Sequence, residues 1–108
     1  LFISPSAEQV GTWTDDDIYI WQVASGKKTT IGGRSAGFDL STCIVSPQGF
    51  LISAGYDGNI RFWCLITGSC LGLFSLGFKI QRLALHGERL YAAGANGYLA
   101  GLDISQTE

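Results

Sequence analysis

Three consecutive carboxylates, Asp15, Asp16 and Asp17, are the densest group of residues that could do chemistry in this chain. Clustered carboxylates can hold a divalent cation or act as general acid and base. A calcium site needs about six or more oxygen ligands, however, and three successive side chains rarely all face one ion. Aspartate is also frequent in tight turns, where its side chain bonds to nearby backbone groups. The cluster therefore predicts a hairpin turn and no metal site.

The other residues with chemical potential are scattered. His86 is the single histidine, and it stands beside Gly87 in a predicted turn, with no partner at a zinc-ligand spacing and no nucleophile nearby in sequence. The cysteines Cys43, Cys64 and Cys70 are odd in number and lie in apolar runs, which is typical of small buried side chains in a reducing compartment. We therefore expect a non-enzymatic protein without a cofactor, intracellular and either cytoplasmic or nuclear.

The composition argues against two further classes of function. The formal net charge is −2, and the basic residues do not form a stripe that could follow a phosphate backbone. No apolar run reaches the ~20 residues that a membrane-spanning helix needs. Hydrophobic residues make up 46% of the chain, enough for a globular core. We expect protein or peptide partners, no nucleic acid and no membrane.

An internal repeat provides the elements that position these residues. Residues 4–26 and 46–68 share one pattern at an offset of 42 residues. The matched landmarks are Ser4-Pro5 with Ser46-Pro47, Asp15 with Asp57, Ile18 with Ile60, Trp21 with Trp63, and Ser25-Gly26 with Thr67-Gly68. A shorter third copy follows at an offset of 39, with Asn96-Gly97 where the second copy has Asp57-Gly58. A fixed period of about 40 residues is typical of repeat architectures.

Each copy consists of short strand-like runs separated by tight turns. Runs rich in Ile, Val, Leu, Tyr, Phe and Trp are bounded by Gly, Asp, Asn, Ser or Pro, which indicates strands and not helices. The predicted strands cover residues 1–4, 9–13, 17–23 and 27–32, then 42–46, 50–54, 59–64 and 69–76, and finally 80–85, 89–93 and 98–103. We expect an all-β chain with two four-stranded antiparallel meanders and most of a third.

A sheet of about forty residues cannot bury both of its faces alone, so repetition at this period predicts sheets stacked face to face around an axis, as in a β-propeller. We expect one propeller domain over residues 1–108, with blades at 1–36 and 37–77 and an incomplete blade at 78–108. A ring closes with about four to eight blades. Because fewer than three blades leave two apolar faces exposed, the chain is expected to be part of something larger, with the remaining blades supplied by the same or another chain.

The second copy resembles the WD-repeat family. Residues 46–63, SPQGFLISAGYDGNIRFW, match the middle segment of that repeat almost position for position. The resemblance is good in the first copy through residues 17–21 and weak in the third. It implies a partial β-propeller that acts as a non-catalytic scaffold for protein–protein interactions within a multiprotein complex.

The chain departs from that family's pattern at the residues of its stabilising network. The Trp-Asp pair that gives the family its name is incomplete in every copy, and the family's Gly-His pair is absent. In the family, a Trp, a Ser or Thr, a His and an Asp form a hydrogen-bonded network. The resemblance maps this network onto Trp63, Ser53 and Asp57, with Trp21 and Asp15 at matched positions in the first copy. Since no residue corresponds to the histidine, we expect Asp57 to bond to amide groups of its own turn.

Two alternatives to the scaffold interpretation stay open. Residues 90–103, LYAAGANGYLAGLD, look like the repeats of quinoprotein dehydrogenases, which implies an enzyme with a calcium-bound quinone held by oxygens from several blades. The matched Trp21 and Trp63 favour the WD-repeat family instead. The other alternative is structural: the chain completes a split propeller ring, a role that unpaired sheet edges make plausible.

The WD-repeat resemblance also points to partner-facing residues, which in that family lie early in the innermost strand and just before the turn aspartate. The corresponding positions here are Asp39, Ser41, Tyr56, Lys79, Gln81, Thr14 and Ala95. Tyr56 is the strongest candidate, because an aromatic ring with a hydroxyl at an exposed loop tip is typical of interface anchors. Asp39 and Lys79 carry opposite charges at similar positions, which favours a mixed protein surface.

Overall fold

The computed structural model describes residues 1–14, 17–32, 40–65 and 67–104. These residues form eleven strands, and the one helical element among them is a single 3₁₀ turn, at Ala95–Gly97. The strands are β1 Phe2–Ile3, β2 Gln9–Trp13, β3 Asp17–Gln22, β4 Lys28–Gly32, β5 Leu40–Val45, β6 Phe50–Gly55, β7 Asn59–Cys64, β8 Cys70–Ser75, β9 Ile80–His86, β10 Arg89–Gly94 and β11 Leu99–Asp103. No helix in the described part of the chain is long and apolar enough to cross a membrane.

The strands form three antiparallel sheets in chain order. The first sheet contains β1–β4, the second sheet β5–β8 and the third sheet β9–β11. Each sheet is a meander in which sequential strands pair, and each predicted strand appears within two residues of its expected ends. The all-β prediction, with two four-stranded blades and three strands of another, is confirmed. The blade boundaries at 36 and 77, and the assignment of residues 1–108 to a single ring, stay predictions.

The second sheet packs on both of its neighbours because its residues alternate between two faces. Leu51 and Trp63 belong to one buried cluster with Ile18 and Ile20 of the first sheet. The neighbouring residues in sequence point the other way: Ile52 and Phe62 belong to a second cluster that includes Leu90 and Ala92 of the third sheet. The second sheet is therefore the middle layer of a three-sheet stack.

The first strands of the sheets lie side by side at one edge of this stack. β5 contacts both β1 and β9, the first strands of the neighbouring sheets. The order of strands within each sheet then carries the chain away from that edge. This arrangement is the one expected of propeller blades, whose first strands line the inside of the ring.

The outward faces of the stack carry exposed apolar side chains. Ile3 on the first sheet is 58% exposed, and Leu99 on the third sheet is 71% exposed. Tyr91 also lies on the outward face of the third sheet, because its neighbours Leu90 and Ala92 are buried against the second sheet. Further blades would bury these side chains in a closed ring.

The first sheet differs from the second in the register of its second strand. In the second sheet Leu51 pairs with Trp63, whereas in the first sheet Val10 pairs with Trp21. β2 is therefore shifted by one residue against the 42-residue offset that fits the strands around it. The turn before β2 is one residue longer, since the hydroxyl of Ser4 accepts from the amide of Gln9 five residues on, whereas the equivalent bond in the second copy spans four.

Candidate protein-binding site

Tyr56 stands at the tip of the tight turn between β6 and β7 with 49% of its surface exposed. Gly58 closes this turn with a φ of +83°, a conformation that glycine adopts without steric cost, and its amide donates to the Gly55 carbonyl at 3.1 Å. The carbonyl of Gly58 in turn accepts from the amide of Leu76 at 2.8 Å. The aromatic ring is thus presented to solvent from a backbone fixed on both sides.

Side chains on the same turn stiffen it further. Asp57 Oδ1 accepts from the backbone amide of Asn59 at 3.1 Å, and its Oδ2 accepts from Arg61 Nη1, also at 3.1 Å. Asn59 bonds to the same carboxylate through Nδ2, and its Oδ1 accepts from the hydroxyl of Ser75. The sequence predicted that Asp57 bonds to amides of its own turn. It did not predict the cationic partner Arg61, which lies in β7, the strand that follows the turn.

Two β-bulges place Ser41 and Gln81 at equivalent points of their sheets. Ser41 is skipped in the pairing of β5 with β6, and Gln81 is skipped in the pairing of β9 with β10. A bulge re-aims the side chain that it carries. The hydroxyl of Ser41 lies 2.5 Å from the carbonyl oxygen of Ile80 in the neighbouring sheet, to which it donates. Ser41 therefore ties the second sheet to the third, whereas Gln81 is exposed.

These elements converge on a cavity of about 430 Å³. Its lining comprises Leu40, Ser41, Tyr56, Gln81 and Arg82. Three of the residues that the sequence singled out are thus brought together, from β5, the β6–β7 turn and β9. Leu40 is buried and gives the cavity an apolar wall, while the remaining side chains are polar. The volume lies within the range of about 300–1,000 Å³ that is usual for ligand pockets.

The other predicted partner-facing residues lie apart from this lining. Thr14 is exposed in the β2–β3 turn of the first sheet, where its hydroxyl accepts from the amide of Asp17 at 3.2 Å. Lys79 and Ala95 are joined by a backbone hydrogen bond of 3.2 Å beside the cavity-lining strand β9. Asp39 lies outside the described residues, so the predicted contrast of charge between Asp39 and Lys79 stays a prediction.

The residues assigned to the stabilising network are only partly joined. Trp63 Nε1 donates to Ser53 Oγ at 2.9 Å, and both residues are buried, at 7% and 1% exposure. Asp57 lies at the exposed turn with the partners described above. In the first sheet the one-residue shift places Thr12 diagonally across from Trp21, as Ser53 lies from Trp63. Asp15 and Asp16 lie outside the described residues.

The partly exposed Trp21 belongs to an aromatic and charged group on the outward face of the first sheet. Its ring centroid lies 6.2 Å from that of Tyr19, and Lys28 Nζ lies 5.3 Å over the Tyr19 ring. The Tyr19 hydroxyl donates to Asp17 at 3.3 Å. The negative charge of Asp17 raises the pKa of Tyr19, with desolvation and this hydrogen bond acting in the same direction.

Within the described ranges, no three His, Cys, Asp or Glu side chains come together in a way that could hold a metal ion. Burial raises the pKa of the Cys43 thiol to about 12, so this cysteine stays protonated in the core. A second cavity of about 390 Å³ lies by the turns of the first sheet and is lined by Ala7, Glu8, Gln22, Val23 and Ala24. None of its described lining residues is a predicted site residue.

Sequence reasoning missed two cavity-lining residues and Thr12, which occupies in the first sheet the position of Ser53. Leu40 and Arg82 flank the bulge positions in β5 and β9, so a comparison of those two strands around Ser41 and Gln81 would have found them. Thr12 was missed because a constant offset of 42 assigns its place to Gly11. The extra residue between Ser4 and the strand that follows was the available signal.

Comparison with known proteins gives matches at the level of structure. No protein-family model matches the chain, and no curated protein matches it. The WD40 repeats of RRP9 superpose with a TM-score of 0.83 at 20% identity, covering 98% of this chain and 35% of that structure. U3-55K gives 0.81 at 19% identity, with coverages of 98% and 36%. The β-propeller domain of Myceliophteria thermophila Cps50 (Swd1) gives 0.79 at 16% identity, with coverages of 96% and 35%.

The match covers nearly the whole of this chain, while the chain spans about a third of the length of those solved structures. At identities of 16% to 20% the likeness concerns the fold. It agrees with the three stacked antiparallel sheets and with the first strands lined up at one edge. The chain therefore has the fold of WD40-repeat β-propeller blades.

Proposed function

We propose that this chain is part of a WD-repeat protein that binds protein or peptide partners, as a non-catalytic scaffold within a multiprotein complex. The observation that carries the proposal is the half-exposed ring of Tyr56, held on a rigid turn beside a cavity at the junction of two sheets. Aromatic side chains in such positions supply much of the binding energy of protein interfaces, because they cover a large area with few rotatable bonds.

The intracellular location proposed with this function, cytoplasmic or nuclear, is supported by the cysteines. Cys43, Cys64 and Cys70 are all free thiols. Disulfides are rare in the reducing compartments of the cell, where such thiols persist. The absence of catalytic activity is part of the same proposal. The cavity around Tyr56 offers hydrogen bonds, and its described lining residues contain no paired nucleophile and base.

The test is capture of partners by the full-length protein and by its Tyr56→Ala variant. We expect the variant to lose about 1–3 kcal/mol of binding free energy, which is about 5- to 150-fold in affinity, with its melting temperature unchanged. Tyr98→Ala is the matched control, since Tyr98 is also an exposed turn tyrosine but does not line the cavity. Equal affinity of the Tyr56→Ala variant and the wild type would refute the assignment of the binding surface.

Completion of a propeller ring is a second candidate function, favoured by the exposed apolar faces at Ile3 and Leu99. Native co-purification distinguishes the two roles. A chain bound stoichiometrically to one other propeller-like chain would support ring completion, whereas varied partners that depend on Tyr56 would support recognition.

The quinoprotein alternative has its own test: added calcium and quinone would raise the melting temperature of such an enzyme.

A further inference from the structure

We propose that the cavity around Tyr56 binds a carboxylate side chain of the partner and that Arg82 is the residue that selects it. This inference rests on the proposed function, because it names the chemistry that the same surface recognises. Its occupant is an acidic residue, Asp or Glu, within a peptide segment of a protein partner.

The charge of Arg82 is the first step of the argument. In the described part of the chain, Arg61 is paired with Asp57 at 3.1 Å, and Arg89 pairs in register with Asp103 and lies over the ring of Tyr91. Arg82 forms no ion pair or hydrogen bond with any described residue, and none of the described residues that line its cavity is a carboxylate. Among the described residues, the guanidinium of Arg82 therefore has no partner in the cavity and can bind an anion of a partner.

The position of Arg82 in its strand is the second step. It follows the bulge at Gln81 and pairs with Ala93, so its backbone is fixed by the sheet while its side chain is exposed. The equivalent position in the second sheet is Thr42, which pairs with Ala54 and is buried. Thr42 lies on the face of the second sheet that the third sheet covers. Arg82 lies on the outward face of the third sheet, beside Ala93 and Leu99, and it also lines the cavity.

The groups around the guanidinium fit a carboxylate better than other anions. A guanidinium binds a carboxylate through two parallel hydrogen bonds, and the Gln81 amide and the Tyr56 hydroxyl can donate to the same oxygens. A phosphate group carries nearly two charges and is usually bound by a cluster of arginines, whereas the described lining of this cavity contains one. The apolar wall at Leu40 suits the methylene groups that precede the carboxylate of Asp or Glu.

The experiment is selection of a phage-displayed random dodecapeptide library on the immobilised full-length protein, with parallel selections on Arg82→Gln and Arg82→Glu. We expect peptides from the wild type to be enriched in Asp or Glu at one position and to bind Arg82→Gln about tenfold more weakly. We expect Arg82→Glu to select Lys or Arg at that position. Arg89→Gln is the matched control, because it removes an arginine of the same sheet that is outside the cavity, and it should select the same acidic peptides as the wild type.

The outcomes separate this inference from the proposed function. Peptides that depend on Tyr56 but show no acidic enrichment, or that bind Arg82→Gln as tightly as the wild type, would overturn the carboxylate assignment and leave the binding surface standing. Peptides that bind independently of Tyr56, or a selection that yields none, would overturn both. Thermal melting of each variant shows whether the fold is retained, and the charge reversal with Arg82→Glu gives a gain of binding that a misfolded variant could not produce.

Discussion

Replacing Ser53 with alanine removes the acceptor that the buried indole N–H of Trp63 uses at 2.9 Å. Loss of a partner from a buried donor costs about 1–3 kcal/mol, because the donor gives up water on folding without a full replacement. The free energy for opening the second sheet should fall by this amount. Since 1.4 kcal/mol corresponds to a factor of ten, the population of the opened sheet should rise about 5- to 150-fold.

Native-state hydrogen exchange of the β6 and β7 amides measures that population directly, because these amides exchange when the sheet opens. Exchange should accelerate in Ser53→Ala by the same factor in both strands. Ser75→Ala is the matched control, since it removes an exposed hydroxyl from the same sheet, and its effect should stay within about 0.5 kcal/mol. A double-mutant cycle with Trp63→Phe should give a coupling energy of about 0.5–3 kcal/mol.

The third sheet shows which result would refute this reasoning. It has Ala92 and Leu102 at the positions of Ser53 and Trp63, an apolar pair without a hydrogen bond to lose. If the hydrogen bond contributes as argued, the double variant Ser53→Ala with Trp63→Leu must lose less stability than the sum of the losses in the two single variants. Strictly additive effects, or exchange rates equal to those of Ser75→Ala, would mean that the Trp63–Ser53 bond does not stabilise the sheet.

Two further predictions concern backbone strain and ionisation. Ala7 has a φ of +62° at the position where the second copy has Gly49 with a φ of +99°. Because alanine is strained in this conformation and glycine is not, Ala7→Gly should raise the free energy of urea unfolding by about 0.5–1 kcal/mol. A lower free energy of unfolding would show that Ala7 is not strained. Because the pKa of Cys43 rises from about 9 to about 12 on folding, its contribution to stability is complete below pH 9 and is lost as the pH rises from about 9 towards 12. A Cys43→Ala variant should therefore lose less stability than the wild type over that pH range. Iodoacetamide should label the exposed Cys70 in the folded protein and spare the buried Cys43. Equal labelling of the two cysteines would contradict the burial argument.

The fold could be predicted because the repeat, the strand pattern and the turn residues all indicate the same structure. β7 begins and ends where the sequence places it, and it does so because Asp57-Gly58 fixes its start and its apolar residues alternate between two buried faces. The register of β2 could not be read from the landmark residues, since they lie outside that strand. Two compensating changes of one residue, in the turns before and after β2, leave the landmarks in place and shift only the strand between them.

The candidate site could be predicted only in part, because the positions came from a resemblance and the partners came from three-dimensional packing. Tyr56, Ser41 and Gln81 meet at one cavity. Arg82 follows Gln81 in sequence, but the role proposed for it depends on the absence of a carboxylate among the described residues around it, which a sequence pattern does not show. Asp57 gains Arg61 through a contact between residues i and i+4 around a hairpin, a geometry that strand periodicity alone does not suggest.

The paired bulges at Ser41 and Gln81 explain how a repeated fold can carry a site that is not repeated. The backbone geometry is the same at both positions, since each residue is skipped in the pairing of its sheet's first two strands. At Ser41 the short side chain reaches the Ile80 carbonyl and ties two sheets together. At Gln81 the longer side chain is exposed and lines the cavity beside Tyr56. This position of the repeat therefore lines the cavity in both sheets, and in the second sheet it also joins two sheets, so exchanging Ser41 and Gln81 should weaken the junction between the sheets as well as alter the cavity.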